Sequence, residues 1–427
     1  MRADAGRKYR AYPTGGQGEV LTRWGHSARA LWNVALEQRV YLWEQRRYTL
    51  RSVEQCKYLT AARADLDWIG DLPAQSGQQI LRQLDRAYDN FWNPEHPARF
   101  PSRKKRGHRL PVPFPGQAVE VRKVNRKWAE VRLPKVGWLR FRLSRAIGGT
   151  IRNATVSRDG SGWHVSFGVH TGRKPDAPNG KPACGVDFGV AASAFVSTEA
   201  TPRLMPPSLT ANEKKRLKAL EQRKARQITY AKKHQGGKYS RRLRTTIAQI
   251  ARLTTLRANR RRDFTHKLTT DLAKNHGLIG IEDLRVRNMS KSAKGTAESP
   301  GKNVRAKAAL NRSILDNTPG ERRRQLEYKT RMYGSVLVAV PPFHTSQTCA
   351  ACGLVDPESR KGCGRLFACT RCEHVDDADH NASVEIEARA RRTGGSDINS
   401  TRSIPRVRVP AVGRRRMREA PRPAHAS

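Results

Sequence analysis

Four cysteines in two pairs constrain this chain more than any other feature. Cys349 and Cys352 form one C-x2-C knuckle, Cys369 and Cys372 form a second, and sixteen residues lie between the pairs. Four thiolates so spaced can close a tetrahedron around Zn²⁺, the pattern of a structural zinc ribbon. Cys56, Cys184 and Cys363 are scattered, so the usage is metal ligation in a reducing compartment and not a disulfide framework. Seven residues past Cys372 comes Asp379, in DADHNAS, where a helix-like run resumes. A metal-clamped module leading directly into an acidic residue suggests that the metal positions a carboxylate.

The charge of the chain indicates what that carboxylate works on. Among 427 residues, 83 are Lys or Arg and 37 are Asp or Glu, a formal net charge of +46. Self-repulsion on that scale makes sense when a polyanion neutralises it, which makes nucleic acid the leading partner ahead of a merely solvated basic surface. The length allows two or three domains. No run of eighteen apolar residues is present, and MRADAGRKYR lacks the apolar core of a secretory signal. The expected location is therefore cytoplasmic, with the nucleoid.

Residues 1–22 read as a short extended lead-in. From Trp24 a helical period begins, with Leu31, Ala35, Gln38 and Leu42 on one face and Val34 and Tyr41 adjoining. A second helix is expected from about Gln78 through Ile80, Leu84, Tyr88 and Phe91. SRKKRGHR, 102–109, is a basic loop. From Val119 to His170 the period becomes two, through Val121, Trp128, Val131, Leu139, Phe141 and Leu143. RDGSGWHVSFGV reads there as a hairpin turning at Asp159-Gly160 or just after. That segment predicts a compact, barrel-like β unit without a decisive aromatic signature.

After the linker GRKPDAPNGKP comes a core strand, ACGVDFGVAASAFVST, with Asp187 inside it. An acid within an apolar strand is expensive unless paired or bound to metal, although an Asp capping a turn between Gly185 and Gly189 would also fit. Residues 211–276 predict a long helical hairpin broken at Gly236-Gly237. Its outer faces carry Lys and Arg with few acids for i,i+4 pairing, as at Arg260-Arg261-Arg262, so they suit phosphate tracking. HGLIGIEDL is a short strand ending at Glu282-Asp283. One of those two acids can share a site with Asp187, because neighbouring strand residues face opposite ways. SKSAKGTAESPGKN reads as a loop or lid, LEYKTRMY as a helix and SVLVAVPP as a strand. The Arg-rich segment after 390 reads as disordered.

Acids at the ends of core elements, without histidine, suit hard cations such as Mg²⁺ or Mn²⁺. Two such ions roughly 3.5–4 Å apart could clamp the attacking water and the leaving oxygen of a phosphodiester. With a charge of +46, phosphodiester hydrolysis is the coherent reading.

Taken together, GVDFGV, IEDL, LEYKT, HTSQTCAACG, RLFACTRC and DADHNAS, in that order over about 183–386, resemble the TnpB family. These are transposon-encoded RNA-guided nucleases related to type V CRISPR effectors. LPAQSGQQILRQLDRAYDNFW and RFPSRKKR extend the resemblance more weakly towards the N-terminus. The resemblance implies a RuvC nuclease domain of RNase H-like α/β fold, with a helical insertion and a zinc ribbon. Ahead of it would lie a wedge-type β-barrel interrupted by a helical recognition domain. The implied parts are barrel segments at 1–22 and 105–180, the recognition domain at 23–104 and the nuclease core at 181–342 with its hairpin at about 208–275. The ribbon would cover 343–375, the last nuclease segment 376–390 and a basic tail 391–427.

By motif, the catalytic, magnesium-binding acids would be Asp187, Glu282 in preference to Asp283, and Asp379 in preference to Asp376 or Asp377. Cys349, Cys352, Cys369 and Cys372 would hold Zn²⁺. The implied partners are a guide RNA from the transposon end and double-stranded DNA carrying a short adjacent motif, bound by a monomer with one RNA. Arg103, Lys104, Lys105, Arg106, Arg260, Arg261, Arg262 and Lys329 are the candidate nucleic-acid contacts. Glu373 stands where the family usually has Gly and Ser383 where it has Ala, and Cys363 adds a spare thiol. The alternatives are a compact type V CRISPR effector, an RNA-guided DNA-binding regulator with little cleavage, or a protein-guided transposase.

Overall fold

The computed structural model describes residues 4–94, 98–105, 110–190, 192–296 and 298–394. Arg106 and the tail from 395 onward fall outside the described residues, as does the side chain of Cys363. The described residues form two compact units, one within 4–175 and 205–267, the other within 176–204 and 268–394.

The first unit begins with strand β1 (Ala5–Tyr12) and helix α1 (Gly15–Arg46). The helix therefore starts well inside the expected extended lead-in. Thr14 supplies the reason: its hydroxyl accepts from Gln17 N at 3.3 Å, and Gln17 Oε1 accepts from Thr14 N at 3.1 Å. This reciprocal cap starts a helix despite Gly15, Gly16 and Gly18 in its first turn, which hide the apolar period from the sequence. Leu31 and Ala35 are buried as expected, whereas Val34, Tyr41 and, further on, Phe91 are exposed. Helices α2 (Ser52–Asp65) and α3 (Asp67–Gly70) were not legible in the sequence, and α4 (Ala74–Trp92) starts earlier than expected. Buried Arg39 ties α1 to the others, through Gln55 at 2.7 and 2.9 Å and Asp85 at 2.7 Å.

Strands β2 (Val112–Pro115), β3 (Glu120–Lys123), β4 (Trp128–Leu133), β5 (Gly137–Arg142), β6 (Thr150–Asp159) and β7 (Gly162–His170) follow. With β1 they make one antiparallel sheet in the order β2-β6-β7-β1-β5-β4-β3. β1 is the joining strand, pairing β7 over Ala5–Arg10 and β5 at Ala11 and Tyr12. Its Tyr9 meets Phe141 and Phe167 in the core, with ring centres 5.3–5.9 Å apart. The β6–β7 hairpin turns at Gly160-Ser161, as the sequence indicates. Helices α5 (Ala211–His234) and α6 (Arg241–Asn275) form the basic hairpin. Up to residue 267 it groups with this first unit and not with the strands that flank it in sequence. A Cβ added at Gly160 would lie 2.2 Å from Ala251 O, so the β6–β7 turn sits directly on α6.

The second unit contains β8 (Cys184–Asp187), β9 (Phe195–Val196), β10 (Leu278–Glu282) and β11 (Val336–Val340) in a sheet ordered β11-β10-β8-β9. β8, β10 and β11 run parallel and β9 antiparallel. Asp187 is thus the last residue of a four-residue strand, not the middle of a longer one. Between β10 and β11 lie α7 (Val286–Met289), α8 (Val304–Asp316) and α9 (Pro319–Tyr333). A small antiparallel sheet, β12 (Arg360–Lys361), β13 (Leu366–Ala368) and β14 (Val375–Asp377), leads into the final helix α10 (Ala378–Gly394). No described helix is long and apolar enough to cross a membrane.

Candidate active site and metal centre

The cysteine module meets a strict geometric test. The donor atoms of Cys349, Cys352, Cys369 and Cys372 all lie within 4.8 Å of one another. Cys349 and Cys372 place their sulfurs 3.6 Å apart, as do Cys352 and Cys369. A tetrahedron with Zn–S bonds of about 2.3 Å has edges of about 3.8 Å, so the four thiols fit a zinc-sized ion. The backbone N–H of Leu354 helps hold the Cys352 thiol down at about 6, in the thiolate form a metal requires.

From this module the chain reaches Asp379 through one strand and a helix cap. Asp377 Oδ1 accepts from the backbone N–H of Asp379 at 2.9 Å and of His380 at 3.3 Å, capping α10. Asp376 is engaged elsewhere, accepting from His380 Nδ1 at 2.6 Å. Asn381, in the next turn, accepts from Ala350 N at 2.9 Å and donates to Thr348 O at 2.8 Å, tying α10 to the first knuckle.

The acids of the parallel strands arise from register. Ile281 pairs with Val186, so Glu282 and Asp187 are the next residues out at the same edge of adjacent strands. Asp283 turns the other way, bonding Arg323 on α9. α10 lies across these strands at two glycines. A Cβ on Gly185 would come within 2.0 Å of Ser383 O, and one on Gly280 within 3.0 Å of Ile386 O. Only with bare backbone there can the helix descend far enough to present its first turn, with Asp379, to the strand ends.

The electrostatics follow from that convergence. Burial, with the charges of Glu282 and Asp379 added, pushes Asp187 up to about 8. Burial also raises Glu282, opposed by the Thr345 hydroxyl, which donates to Oε1 at 2.5 Å, and by Arg389. Asp379 is raised by burial and by Asp377, with Arg360 and Arg365 opposing. Three half-buried carboxylates, two of them raising the third, would each be relieved by a divalent cation. Among the described residues, the group whose donor atoms all lie within 4.8 Å of one another is the four thiols and not this trio.

Sequence reasoning missed Thr345, Arg360, Arg365 and Arg389. Thr345 lies in the HTSQTC run, where its hydroxyl could have been noticed; the arginines carry no local signal.

The candidate nucleic-acid contacts fare unevenly. Segment 102–105 is strapped to α1: Trp32 Nε1 donates to Ser102 O, Asn33 exchanges two bonds with the Lys104 backbone, and Lys104 Nζ lies 4.6 Å from the Trp32 ring centre. Arg103 and Lys105 are exposed on that strap. Arg260 is engaged by Glu213 at 2.6 and 3.2 Å, while Arg261 is half-buried and Arg262 exposed. Lys329 must be withdrawn as a surface contact. It is 4 % exposed, donates to Thr269 Oγ1 at 2.7 Å and Gln325 Oε1 at 3.1 Å, and burial lowers it to about 8.

A stronger basic face was not foreseen. On the outer side of β1, β3, β4 and β5, Arg122 stacks on Trp138 at 4.0 Å and Arg140 on Trp128 at 4.4 Å. Arg142 adds a second cation over Trp128 at 5.4 Å, and Tyr12 meets the same ring edge-on at 5.2 Å.

Comparison with known proteins gives three family matches. A family described as "Probable transposase" covers residues 166–293, a "Cas12f1-like, TNB domain" covers 320–386, and a "Helix-turn-helix domain" covers 1–47. In this chain the described part of that last region is a strand followed by one 32-residue helix. The "Putative RNA-guided DNA endonuclease InsQ" of Escherichia coli is 36% identical over 383 residues, covering 89% of this chain and 91% of that protein. A "Putative RNA-guided DNA endonuclease" of Streptomyces pristinaespiralis is 32% identical, covering 89% and 88%. Among solved structures, one titled "Cryo-EM structure of the Cas12f1-sgRNA-target DNA complex" aligns with a TM-score of 0.50 at 13% identity, covering 88% of this chain and 83% of that one. That likeness is one of fold.

Proposed function

The chain belongs to the TnpB family, and from that premise we propose that it is an RNA-guided DNA endonuclease whose cutting centre is Asp187, Glu282 and Asp379. The observation that carries the proposal is the shared edge: two acids one step beyond a registered pair of parallel strands, joined by a third from the helix that crosses them.

Mg²⁺ or Mn²⁺ bound by the three carboxylates would supply Lewis-acid activation of water and neutralise charge growing on the scissile phosphate. The chain's own groups prepare that site. Thr345 fixes one oxygen of Glu282, which orients the carboxylate before substrate arrives. Arg360 and Arg365 bring positive charge beside the acids, where the developing phosphate charge would also be stabilised. Zn²⁺ in the four-cysteine module would hold α10 in register through Asn381 and its two bonds to the first knuckle. Base pairing with a guide RNA would supply sequence specificity, while the exposed arginines of the β1–β5–β4–β3 face and the α1 strap would hold phosphates.

The test is cleavage of a plasmid target by the ribonucleoprotein purified with its own RNA. Linear product should form in Mg²⁺ and not in EDTA, and Asp187→Ala should abolish it while target binding persists. Full binding with no cutting by the unaltered protein in Mg²⁺ would favour the DNA-binding regulator instead.

A further inference from the structure

Arg322 is fully buried, yet no carboxylate is among its bonded partners in the described residues. Its Nη1 donates to Ser193 O at 2.5 Å and its Nη2 to Asn317 Oδ1 at 3.0 Å, and its guanidinium lies 5.2 Å from the Phe188 ring centre. Its Nε has no partner among the described residues. Burial lowers it only to about 10, so it remains a cation at neutral pH. A cation buried without an anion is expensive, and an apolar side chain of similar volume would stabilise such a corner better. What an apolar side chain cannot provide is a pair of directed donors.

Those donors act on one small segment. Asn317, at the corner between α8 and α9, donates to Val190 O at 3.2 Å and accepts from Ser193 Oγ at 3.2 Å. Both acceptor carbonyls, of residues 190 and 193, belong to the turn that joins β8 to β9, immediately after Asp187. The far side of that turn faces the acids: a Cβ placed on Gly189 would lie 3.6 Å from Asp379 Oδ2. Phe188, under the guanidinium, is the neighbour of Asp187 itself. The described residues of the turn, 188–190 and 192–194, are therefore held between the carboxylates on one side and the Asn317–Arg322 pair on the other.

We propose that Asn317 and Arg322 are positioning residues, which clamp the β8–β9 turn and thereby set where the Asp187 carboxylate stands relative to Glu282 and Asp379. The clamp also has a lever. Asn317 terminates α8, whose N-terminus continues the 283–303 segment that leaves Glu282, so a shift of α8 reaches the turn after Asp187 through one side chain. Lys307 Nζ donates to Met289 O at 2.8 Å and Asn311 Nδ2 to Ser290 O at 3.1 Å, fastening α8 to that segment. The two catalytic strands are thus coupled outside the site as well as within it.

The inference rests on Asp187 being a catalytic acid, so Asp187→Ala is run beside the clamp variants. Asn317→Ala and Arg322→Lys are assayed as ribonucleoproteins for single-turnover cutting, for the Mg²⁺ concentration giving half-maximal rate, and for target affinity in EDTA. Misplacing a metal ligand by about 1 Å should slow cutting roughly ten- to a hundredfold and raise the Mg²⁺ requirement, with affinity held within about twofold. Cutting by both variants at the unaltered rate and Mg²⁺ requirement, with Asp187→Ala inactive, overturns the clamp and leaves the active site standing. Loss of affinity and cutting in parallel, at an unchanged Mg²⁺ requirement, also overturns it, because the pair would then be structural alone. If Arg322→Lys does not fold, Asn317→Ala still decides, since it removes the turn contacts without leaving a larger side chain to fit. Active Asp187→Ala would instead remove the premise.

Discussion

The two principal sheets handle charge in opposite ways. On the outer face of the seven-stranded sheet, Arg122, Arg140 and Arg142 are exposed, with guanidinium carbons 4.0–5.4 Å from the ring centres of Trp138 and Trp128. Arg122 is also paired with Glu130 at 2.7 Å, whereas Arg140 and Arg142 are oriented by the Trp128 ring, which does not neutralise them. At the edge of the four-stranded sheet the acids are half-buried, and burial together with the charges of Glu282 and Asp379 pushes Asp187 up to about 8. Dispersed charges of the first kind should contribute in small independent amounts. Concentrated charges of the second kind should act as a unit, with the loss of any one costing nearly the whole activity.

The largest effect expected is from a residue that never touches the acids. Cys352→Ser removes one thiolate of the module that delivers Asp379. Structural zinc in small modules stabilises their fold by on the order of 10 kcal/mol. Losing it should release the first knuckle from Asn381 and with it the start of α10. Cutting should disappear, metal analysis should show zinc lost from the purified protein, and Mg²⁺ should fail to restore activity. A zinc-free variant that cuts normally would show that α10 holds Asp379 unaided, and the acid cluster would not depend on the ribbon.

A smaller effect, of about tenfold per pH unit at most, tests the crowding itself. A raised carboxylate is protonated below its own value, and only the ionised form binds a divalent cation. At limiting Mg²⁺ the cutting rate should therefore climb with pH up to about 8 and level off above it. Added Mg²⁺ competes with the proton and should move the rising limb to lower pH. The stability sign agrees. Metal-free protein is favoured while Asp187 is protonated and loses that contribution as pH rises through about 8, so Mg²⁺ should raise the melting temperature more at about pH 8.5 than at about pH 6.5. A rate independent of pH across that window at limiting Mg²⁺ would mean the acids do not repel as their placement implies.

How legible each sheet was in the sequence follows from the same contrast. The positions of the three acids were legible because each sits within a short motif whose neighbours are constrained by packing: Gly185 and Gly280 are fixed by the approach of α10, and Asn381 by its bonds to the knuckle. The zinc module was legible because metal geometry permits few spacings. The aromatic-basic face was not, because Tyr12 and Trp128 meet only when β1 joins β5, a pairing between residues far apart in sequence. Lys329 was misread for a related reason. It sits in a helix rich in exposed charge, and only the tertiary fold shows that its face of α9 is the buried one. The start of α1 was hidden by glycines that a Thr14–Gln17 cap overrides.

The smallest effect expected separates the two kinds of charge most cleanly. Arg140 and Arg142 both lie over Trp128, at 4.4 and 5.4 Å, but each reaches water independently. If each holds one phosphate of a single-stranded segment, Arg140→Ala and Arg142→Ala should each lower affinity for the guide RNA a few-fold and flatten the log–log salt slope by about 0.7. The double variant should then show the sum of the two changes in log affinity, while cutting by complexes assembled at low salt stays near normal. A deficit well beyond that sum would mean the shared indole couples the two guanidinia into one phosphate clamp. The basic face would then act as a unit, as the acids do, and dispersal would no longer distinguish the two sheets.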